Sequence, residues 1–181
     1  MIIDSHVHIL PPALRDRRAE VARGDAWFAT CHQGERVIAG AAELLREMDG
    51  SGIDRAVCLG WPFASRELRD ETNEYLASVQ QQHPDRIIAF GIINPAAADA
   101  MDELEGLQQR GLRGVGELNC DAQGFDLDDE RVDETARRSA ELQLPWTLHC
   151  SEPVGHLYAG KGTTTPDRVA RFAMRNDQLS L

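Results

Sequence analysis

Apolar and polar residues recur along this chain with two different patterns, and segments of the two kinds follow each other in strict order. Short, nearly continuous apolar runs are typical of strands buried in a parallel sheet. They lie at residues 1–9, 53–59, 87–93, 112–118 and 144–150, and residues 178–181 resemble the start of a sixth. Between these runs, apolar residues recur every three or four positions, which predicts helices. The helical segments are residues 41–49, 67–82, 97–109, 128–142 and 166–174.

The order of these elements predicts an α/β fold built from consecutive strand–helix units. The units repeat at roughly 30–35 residues, which is the length of a βαβ unit. No Gly-x-Gly-x-x-Gly turn follows the first strand, which removes the best argument for a nucleotide-binding open sheet. Polar residues gather instead at the carboxyl ends of the predicted strands, where barrel enzymes carry their active sites. The sequence therefore predicts one domain, residues 1–181, from a (β/α)8 TIM barrel, with only the N-terminal five to six βα units present.

Residues 10–40 show no clear periodicity, apart from a short helix predicted at residues 15–21. A connection this long within a compact domain is typical of a lid or a binding loop, and a disordered segment is the alternative. Trp27 and Phe28 stand in this segment, and Trp61 follows the second predicted strand. These aromatic side chains would either wall an apolar pocket or anchor their loops on the core, and the sequence leaves both alternatives open.

The composition is that of a globular protein, with 42% hydrophobic and 27% charged residues. The net charge of −11 argues against binding to nucleic acids or anionic membranes, because both surfaces would repel the chain. No apolar stretch approaches the ~20 residues of a membrane span, and no signal sequence opens the chain, so we expect a cytoplasmic location. The four cysteines are widely spaced, which predicts free thiols rather than metal ligands or disulfides.

The first predicted strand carries two histidines, His6 and His8, two positions apart. Side chains at alternate positions of a strand leave from the same face, so both imidazoles should project together. Two imidazoles held side by side on a rigid backbone make half of a divalent-metal site. The pattern is too short to be specific by itself, since one histidine could be a surface residue while the other packs in the core.

Two further strand ends supply side chains that bind metals, Glu117 and His149. In a parallel barrel these positions can converge with His6 and His8 on one mouth, which favours a metal site formed by all four residues. Glu117 and His149 are also the candidate catalytic residues. Imidazole and carboxylate ligands suit Zn²⁺, Mn²⁺ or Fe²⁺. Of these metals we favour Zn²⁺, and we expect one or two ions in the site. Asp4 could orient an imidazole, or could only cap the turn.

The segments around these residues resemble a known family. Residues 3–9 (IDSHVHI) are similar to the first strand of the amidohydrolase superfamily, and residues 114–118 (GVGEL) and 144–149 (LPWTLH) are similar to its fourth and fifth strands. Residues 151–162 (SEPVGHLYAGKG) are similar to a signature of its amidohydrolase-related branch, metal-dependent TIM-barrel hydrolases related to aminocarboxymuconate-semialdehyde decarboxylase. The resemblance spans the whole chain.

The resemblance implies a (β/α)8 barrel whose metal is held by His6, His8 and His149, joined by Glu117. Some members of the superfamily bridge two metals with a carboxylated lysine on strand four, but the only lysine here, Lys161, follows strand five. The family also supplies a histidine after strand six and an aspartate after strand eight, and this chain contains neither. We therefore expect a chain truncated after strand five or six, whose open sheet edges would favour association.

The function that the sequence favours is a metal-dependent hydrolase, which activates a metal-bound water against an amide, ester or lactone. Its partner would be a small-molecule substrate, and a carboxylate of that substrate could pair with Lys161. The predicted substrate-binding residues are His156, Tyr158, Lys161, Trp27 and Trp61. A nonoxidative decarboxylase of an unsaturated or aromatic acid is the alternative among enzymes. The alternative outside the enzymes is an inactive barrel fragment that binds a metal or oligomerises. A homo-oligomer is compatible with all three functions.

Overall fold

A computed structural model describes residues 1–32, 34 and 36–181 of the chain. Within that part, five parallel strands form one sheet in the order β1-β2-β3-β4-β5. The strands are β1 (Ile3–His8), β2 (Arg55–Leu59), β3 (Ile87–Gly91), β4 (Gly114–Leu118) and β5 (Trp146–Leu148). The helices are α1 (Ala13–Asp16), α2 (Arg18–Gly24), α3 (Ala26–Cys31), α4 (Ala41–Ser51), α5 (Arg66–Gln82), α6 (Ala100–Gln109), α7 (Cys120–Gln123), α8 (Glu130–Glu141) and α9 (Pro166–Arg175).

Helices connect each strand to the next one in the sheet, so the parallel α/β architecture that the sequence predicts is confirmed. Local signals set the helix ends. Gly52 adopts a left-handed conformation (φ 69°) and terminates α4, as glycine readily does. Ser65 begins α5 by accepting a hydrogen bond from the backbone amide of Leu68. Pro166 occupies the first position of α9, where its missing amide hydrogen costs nothing.

The sheet is curled, so that strands far apart in its order face each other. β1 and β4 are separated by two strands, and three strand spacings amount to about 14 Å in a flat sheet. Side chains stand nearly perpendicular to such a sheet and could not meet across that distance. Nε2 of His8 on β1 nevertheless lies 3.2 Å from Oε2 of Glu117 on β4. The sheet therefore curves as part of a barrel does, with these two side chains on its concave face.

The helices cover the convex face of the sheet. Buried strand residues, among them Cys58, Ala89 and Val115, share one core with Leu76 of α5 and Leu104 of α6. Burial raises the pKa of the Cys58 thiol to about 12, and the four cysteines are free, as predicted. Among the described residues, no helix is both long enough and apolar enough to cross a membrane.

Residues 10–40 are more regular than the sequence predicts, because α1, α2 and α3 fill much of the described part of this segment. Each of these helices buries one apolar side chain, Leu14, Val21 or Phe28, in a second core that also contains Phe63. Helices of four to seven residues are too short to show a 3.6-residue period. The prediction of a single helix at residues 15–21 is therefore wrong in its bounds. Phe28, for which the sequence left two roles open, anchors its segment on the second core.

The structure assigns no strand to residues 178–181, where the sequence pattern resembles the start of a sixth. One backbone hydrogen bond, from the amide of Trp146 to the carbonyl oxygen of Ser180 (2.9 Å), places the segment beside β5. Leu179 is buried in the main core, which accounts for the apolar pattern without a strand. The short helix α7 was not predicted from the sequence either.

A buried ion pair ties together the loops that follow β2 and β3. The side chains of Arg69 on α5 and Glu103 on α6 form it, and they are 4% and 2% exposed. Arg69 also donates to the carbonyl oxygens of Phe63 (3.2 Å) and Ala64 (2.6 Å). Glu103 also accepts from the backbone amide of Asn94 (2.8 Å). Both charges are therefore satisfied by backbone groups of these loops as well as by each other.

Replacing Glu103 with glutamine should destabilise the fold strongly, because Arg69 would keep a buried charge without its counter-ion. We expect a loss of about 3–5 kcal/mol in the free energy of unfolding, measured by urea denaturation. Glu105→Gln on the same helix is the matched control, since the carboxylate of Glu105 is half exposed beside Arg138 and should contribute little. Equal losses in the two variants would contradict the role assigned to the buried pair.

Candidate metal centre

Three side chains from two strands meet on the concave face of the sheet. The Nε2 atoms of His6 and His8 lie 3.3 Å apart. Oε2 of Glu117 lies 3.8 Å from Nε2 of His6 and 3.2 Å from Nε2 of His8. Strand alternation brings the two imidazoles to one face of β1, and the curl of the sheet brings the carboxylate to them from β4. We call His6, His8 and Glu117 the triad.

The spacing of the triad fits a divalent cation. Ligand atoms placed tetrahedrally at about 2.0–2.1 Å from Zn²⁺ are about 3.3 Å apart. Two of the three separations within the triad, 3.2 and 3.3 Å, are close to that value, the third is 3.8 Å, and all three atoms lie within 4.8 Å of one another. Two imidazoles and one carboxylate suit Zn²⁺, Mn²⁺ or Fe²⁺. The residues present can therefore hold such an ion.

A backbone carbonyl orients one of the imidazoles. Nδ1 of His8 lies 3.1 Å from the carbonyl oxygen of Gly60, directly after β2. When a cation is bound, a hydrogen bond of this kind would keep the proton on Nδ1 and turn the lone pair of Nε2 toward the ion. Gly60 must be glycine for this approach, because a Cβ there would lie 2.5 Å from Cγ1 of Ile92. Asp4 instead accepts a hydrogen bond from the backbone amide of His6 (3.1 Å), so it caps the backbone, and it bonds to no imidazole among the described residues.

His149 contacts the triad through Glu117 and does not join it as a fourth member. Its Nδ1 lies 3.3 Å from Oε1 of Glu117. Its Nε2 is buried and has no hydrogen-bond partner in the described part of the chain. Of the four predicted ligands, the structure thus brings three together and places His149 on the other oxygen of the shared carboxylate. Coordination by His149 stays a prediction.

The charge state of Glu117 is set by the histidines around it. Burial acts to raise the pKa of this carboxyl, but hydrogen bonds from His149 and His8 and their charge outweigh it and lower the pKa to about 2. The hydrogen bond with Glu117 also raises the pKa of His149, against the effect of its burial. Glu117 is therefore ionised near neutral pH, which is the form that binds a cation.

A cavity of about 320 Å³ adjoins the triad. Its walls come from strand ends, from α3 and from the loop that follows β5. Besides the triad and His149, the lining residues are Trp27, Cys31, Trp61, Pro62, Asn119, Ala159 and Gly160. This volume is at the lower end of the range of small-molecule sites, which is about 300–1,000 Å³.

Two of the five predicted substrate-binding residues line this cavity. The ring of Trp61 lies beside that of His8, with centroids 5.7 Å apart, and the ring of Trp27 lies 6.4 Å from that of His149. Both indoles are half-buried, and both lie beside a histidine that lines the cavity. Trp27 and Trp61 therefore both line a pocket, and Trp61 also packs on the second core, where its ring lies 6.2 Å from that of Phe28.

The other three, His156, Tyr158 and Lys161, are not among the residues that line the cavity. Nζ of Lys161 lies 3.3 Å from a carboxylate oxygen of Glu152, within the same loop. The hydroxyl of Tyr158 donates to the other oxygen of that carboxylate (3.0 Å). The substrate-binding role of these three residues stays a prediction.

Sequence reasoning missed Cys31, Ala159 and Gly160 as cavity residues. Cys31 ends a helix too short to be detected from its periodicity, and small loop residues carry no chemical pattern. Asn119 could be found from its position after β4, since strand ends carry the site. Its side chain caps α7 and so turns the chain directly after Glu117.

Comparison with known proteins gives the same architecture. The sequence model of the amidohydrolase family matches residues 3–177. No curated protein sequence matches the chain. The structure is similar to 5-carboxyvanillate decarboxylase from Sphingomonas paucimobilis, with a TM-score of 0.74 and 19% identity over 98% of this chain and 65% of the other.

Two further solved structures are similar over most of the chain. One is 5-carboxyvanillate decarboxylase from Novosphingobium aromaticivorans with bound manganese (TM-score 0.68, 22% identity, 83% of this chain and 51% of the other). The other is 4-oxalomesaconate hydratase from Rhodopseudomonas palustris (TM-score 0.60, 22% identity, 82% of this chain and 52% of the other). At such identities the likeness shows the fold, and the predicted barrel architecture is confirmed. The chain spans about half to two thirds of the length of these structures.

Removing one triad ligand should weaken metal binding sharply. We expect His8→Ala and Glu117→Gln each to lower the affinity for Mn²⁺ or Zn²⁺ by more than the ~10–100-fold that is typical of losing a supporting contact. Calorimetric titration and elemental analysis would measure this. His83→Gln is the matched control, because it removes an imidazole at the end of α5, outside the triad. Wild-type affinity in both triad variants would disprove the site.

Proposed function

Because this chain belongs to the amidohydrolase family, we propose that it forms the metal-binding face of a metal-dependent enzyme acting on a small carboxylate-bearing molecule. The reaction that we favour is nonoxidative decarboxylation of an aromatic or unsaturated acid. This reverses the order in which the sequence ranks hydrolysis and decarboxylation. The observation that carries the proposal is the position of two indole rings, Trp27 beside His149 and Trp61 beside His8, in the walls of the cavity.

Two indole walls suit a planar substrate. Aromatic rings attract one another in stacked and edge-to-face arrangements, beyond the gain from burying their area. A cavity of about 320 Å³ has room for an acid with a single ring. Two of the similar structures are decarboxylases of a carboxyvanillate, and one of them holds manganese with a substituted nitrobenzoic acid. These likenesses support an aromatic acid here.

The residues divide the chemistry between them. The triad would hold the cation. A divalent cation supplies a Lewis acid, which stabilises negative charge that develops on substrate oxygen atoms. When the C–C bond breaks, its electrons stay on the substrate carbon, and a proton must replace the departing CO₂. We assign the handling of this proton to the pair formed by Nδ1 of His149 and Oε1 of Glu117, 3.3 Å apart.

Hydrolysis is the second candidate, because water can reach the triad. The side chain of His6 is 45% exposed, whereas that of Glu117 is 14% exposed. An amide, ester or lactone that reached the same face would meet both a cation and solvent. Both reactions use the same three ligands, so the products must decide between them.

The products of two substrate panels would test the proposal. With Mn²⁺ or Zn²⁺ added, we expect CO₂ release from aromatic or unsaturated acids, and Glu117→Gln should slow it by about 10²–10⁴-fold. His83→Gln should retain the wild-type rate. Turnover of an ester, amide or lactone panel without CO₂ release would establish the hydrolase instead. A metal-loaded protein that turns over neither panel would favour the metal-binding fragment.

Shortening an indole should weaken the binding of aromatic acids selectively. We expect Trp27→Leu and Trp61→Leu each to raise KM by about 2–10-fold, because a ring–ring contact contributes about 0.5–1.5 kcal/mol beyond area burial. The matched measurement uses an unsaturated acid without a ring, whose KM should change less. Equal effects on both acids would show that the indoles shape the cavity without stacking on the substrate.

A further inference from the structure

The loop between β5 and α9 carries a compact set of polar contacts around the only lysine of the chain, Lys161. Nζ of Lys161 donates to the carbonyl oxygens of Val154 (2.7 Å) and His156 (3.4 Å). It also lies 3.3 Å from Oε1 of Glu152. An ammonium group has three donors, so these contacts account for all of them. The side chain is only 10% exposed and points into its own loop.

The carboxylate of Glu152 joins two parts of this loop. Its second oxygen accepts a hydrogen bond from the hydroxyl of Tyr158 (3.0 Å), and Nζ of Lys161 lies 5.7 Å from the centroid of the Tyr158 ring. The backbone amide of Lys161 also donates to the carbonyl oxygen of Tyr158 (3.1 Å). We call Glu152, Tyr158 and Lys161 the clasp. It combines charge-assisted hydrogen bonds with a cation–π contact.

Other bonds join the two ends of the loop to each other and attach one end to the body of the protein. The amide of Ser151 donates to the carbonyl oxygen of Thr164 (2.8 Å), and the amide of Gly162 donates to the hydroxyl of Ser151 (2.9 Å). The amide and hydroxyl of Thr163 donate to the carboxylate of Asp121 on α7 (2.8 and 2.7 Å). The clasp acts on the part between these ends, which carries cavity-lining residues.

That middle part reaches the cavity through Ala159 and Gly160. Gly160 has a left-handed conformation (φ 89°), and a Cβ on it would lie 3.0 Å from Sγ of Cys31 on α3. The loop backbone therefore packs directly on the Cys31 thiol, which is half-buried there. Burial raises the pKa of this thiol. Cys31 can thus report whether the loop is closed on α3.

We propose that Lys161 is a positioning residue for the substrate site: through the clasp it holds the loop against α3 and sets the wall of the cavity. The ammonium group turns the loop carbonyls inward and neutralises Glu152, which lets Ala159 and Gly160 rest on Cys31. This role differs from contact with a substrate carboxylate, because every donor of Lys161 is engaged within the loop.

Cysteine alkylation tests the clasp without any assay of activity. The labelling rate of each cysteine with iodoacetamide would be followed by peptide mass spectrometry, with the exposed Cys150 as internal reference. In Lys161→Met we expect the rate at Cys31 to rise by at least about tenfold relative to wild type, because hydrogen bonds to charged groups are lost and the thiol becomes accessible. An unchanged rate at Cys31 would overturn the proposal.

Two variants separate the charge at this position from general effects of mutation. Lys161→Arg keeps a cation and several donors and should label within about threefold of wild type. Arg137→Met removes an exposed cation from α8 and should not change the rate at Cys31. If Lys161→Arg labelled as fast as Lys161→Met, a cation with several donors at this position would not hold the loop, and the assignment of the role to charge would fail.

Global unfolding has its own signature in this experiment, because Cys58 and Cys120 are buried and would also react. If Lys161→Met showed that signature, Tyr158→Phe would decide, since it removes one hydroxyl from the clasp. A rise at Cys31 alone in Tyr158→Phe supports the proposal, and a wild-type rate overturns it.

A second measurement rests on the proposed function. Lys161→Met should raise KM for an aromatic acid more than it lowers kcat, with metal content unchanged, because the clasp does not touch the triad. If no variant and no wild-type protein turned over any acid, the proposed function would fail, while the alkylation rates would still decide whether the clasp holds the loop.

Discussion

The curvature of the sheet is the constraint on which the candidate site depends. Parallel strands bring their carboxyl ends to one edge, but only the curl brings Glu117 on β4 to within 3.2 Å of His8 on β1. The loops that follow the strands then have to be held in place. Arg69, paired with Glu103, donates to the carbonyl oxygens of the loop after β2. The same loop carries Gly60, which orients His8. The buried ion pair and the triad are thus parts of one arrangement.

Much of the fold could be predicted because its signals are local. Each strand of the sheet is an apolar run of a few residues, and each long helix has a detectable period. The failures occurred where local patterns are weak or ambiguous. Residues 10–40 contain helices of one or two turns, each stabilised by a single buried side chain such as Phe28. Leu179 made residues 178–181 look like a strand, although its side chain only fills the core.

In the candidate site, too, the features that could be predicted from the sequence are the local ones. That His6 and His8 share one face follows from strand alternation alone. Contacts across the fold could not be derived in this way. A lone cation near a strand end predicts that Lys161 contacts a substrate, whereas the contacts of its ammonium group with Val154 and Glu152 are visible only in the structure. Likewise, no sequence pattern connects Cys31 with Gly160, because their contact depends on how α3 packs against a distant loop.

The division between sheet and loops explains why the kind of metal site is easier to infer than the reaction. The triad lies on two strands, whose positions are set by the backbone ladder and the core. The walls that would select a substrate lie on α3, on the loop after β2 and on the loop after β5. In barrel enzymes such loops can change while the strands stay the same. The similar structures include decarboxylases and a hydratase on one fold. A residue that fixes the shape of a loop, as Lys161 does, can therefore matter as much for substrate choice as one that touches the substrate.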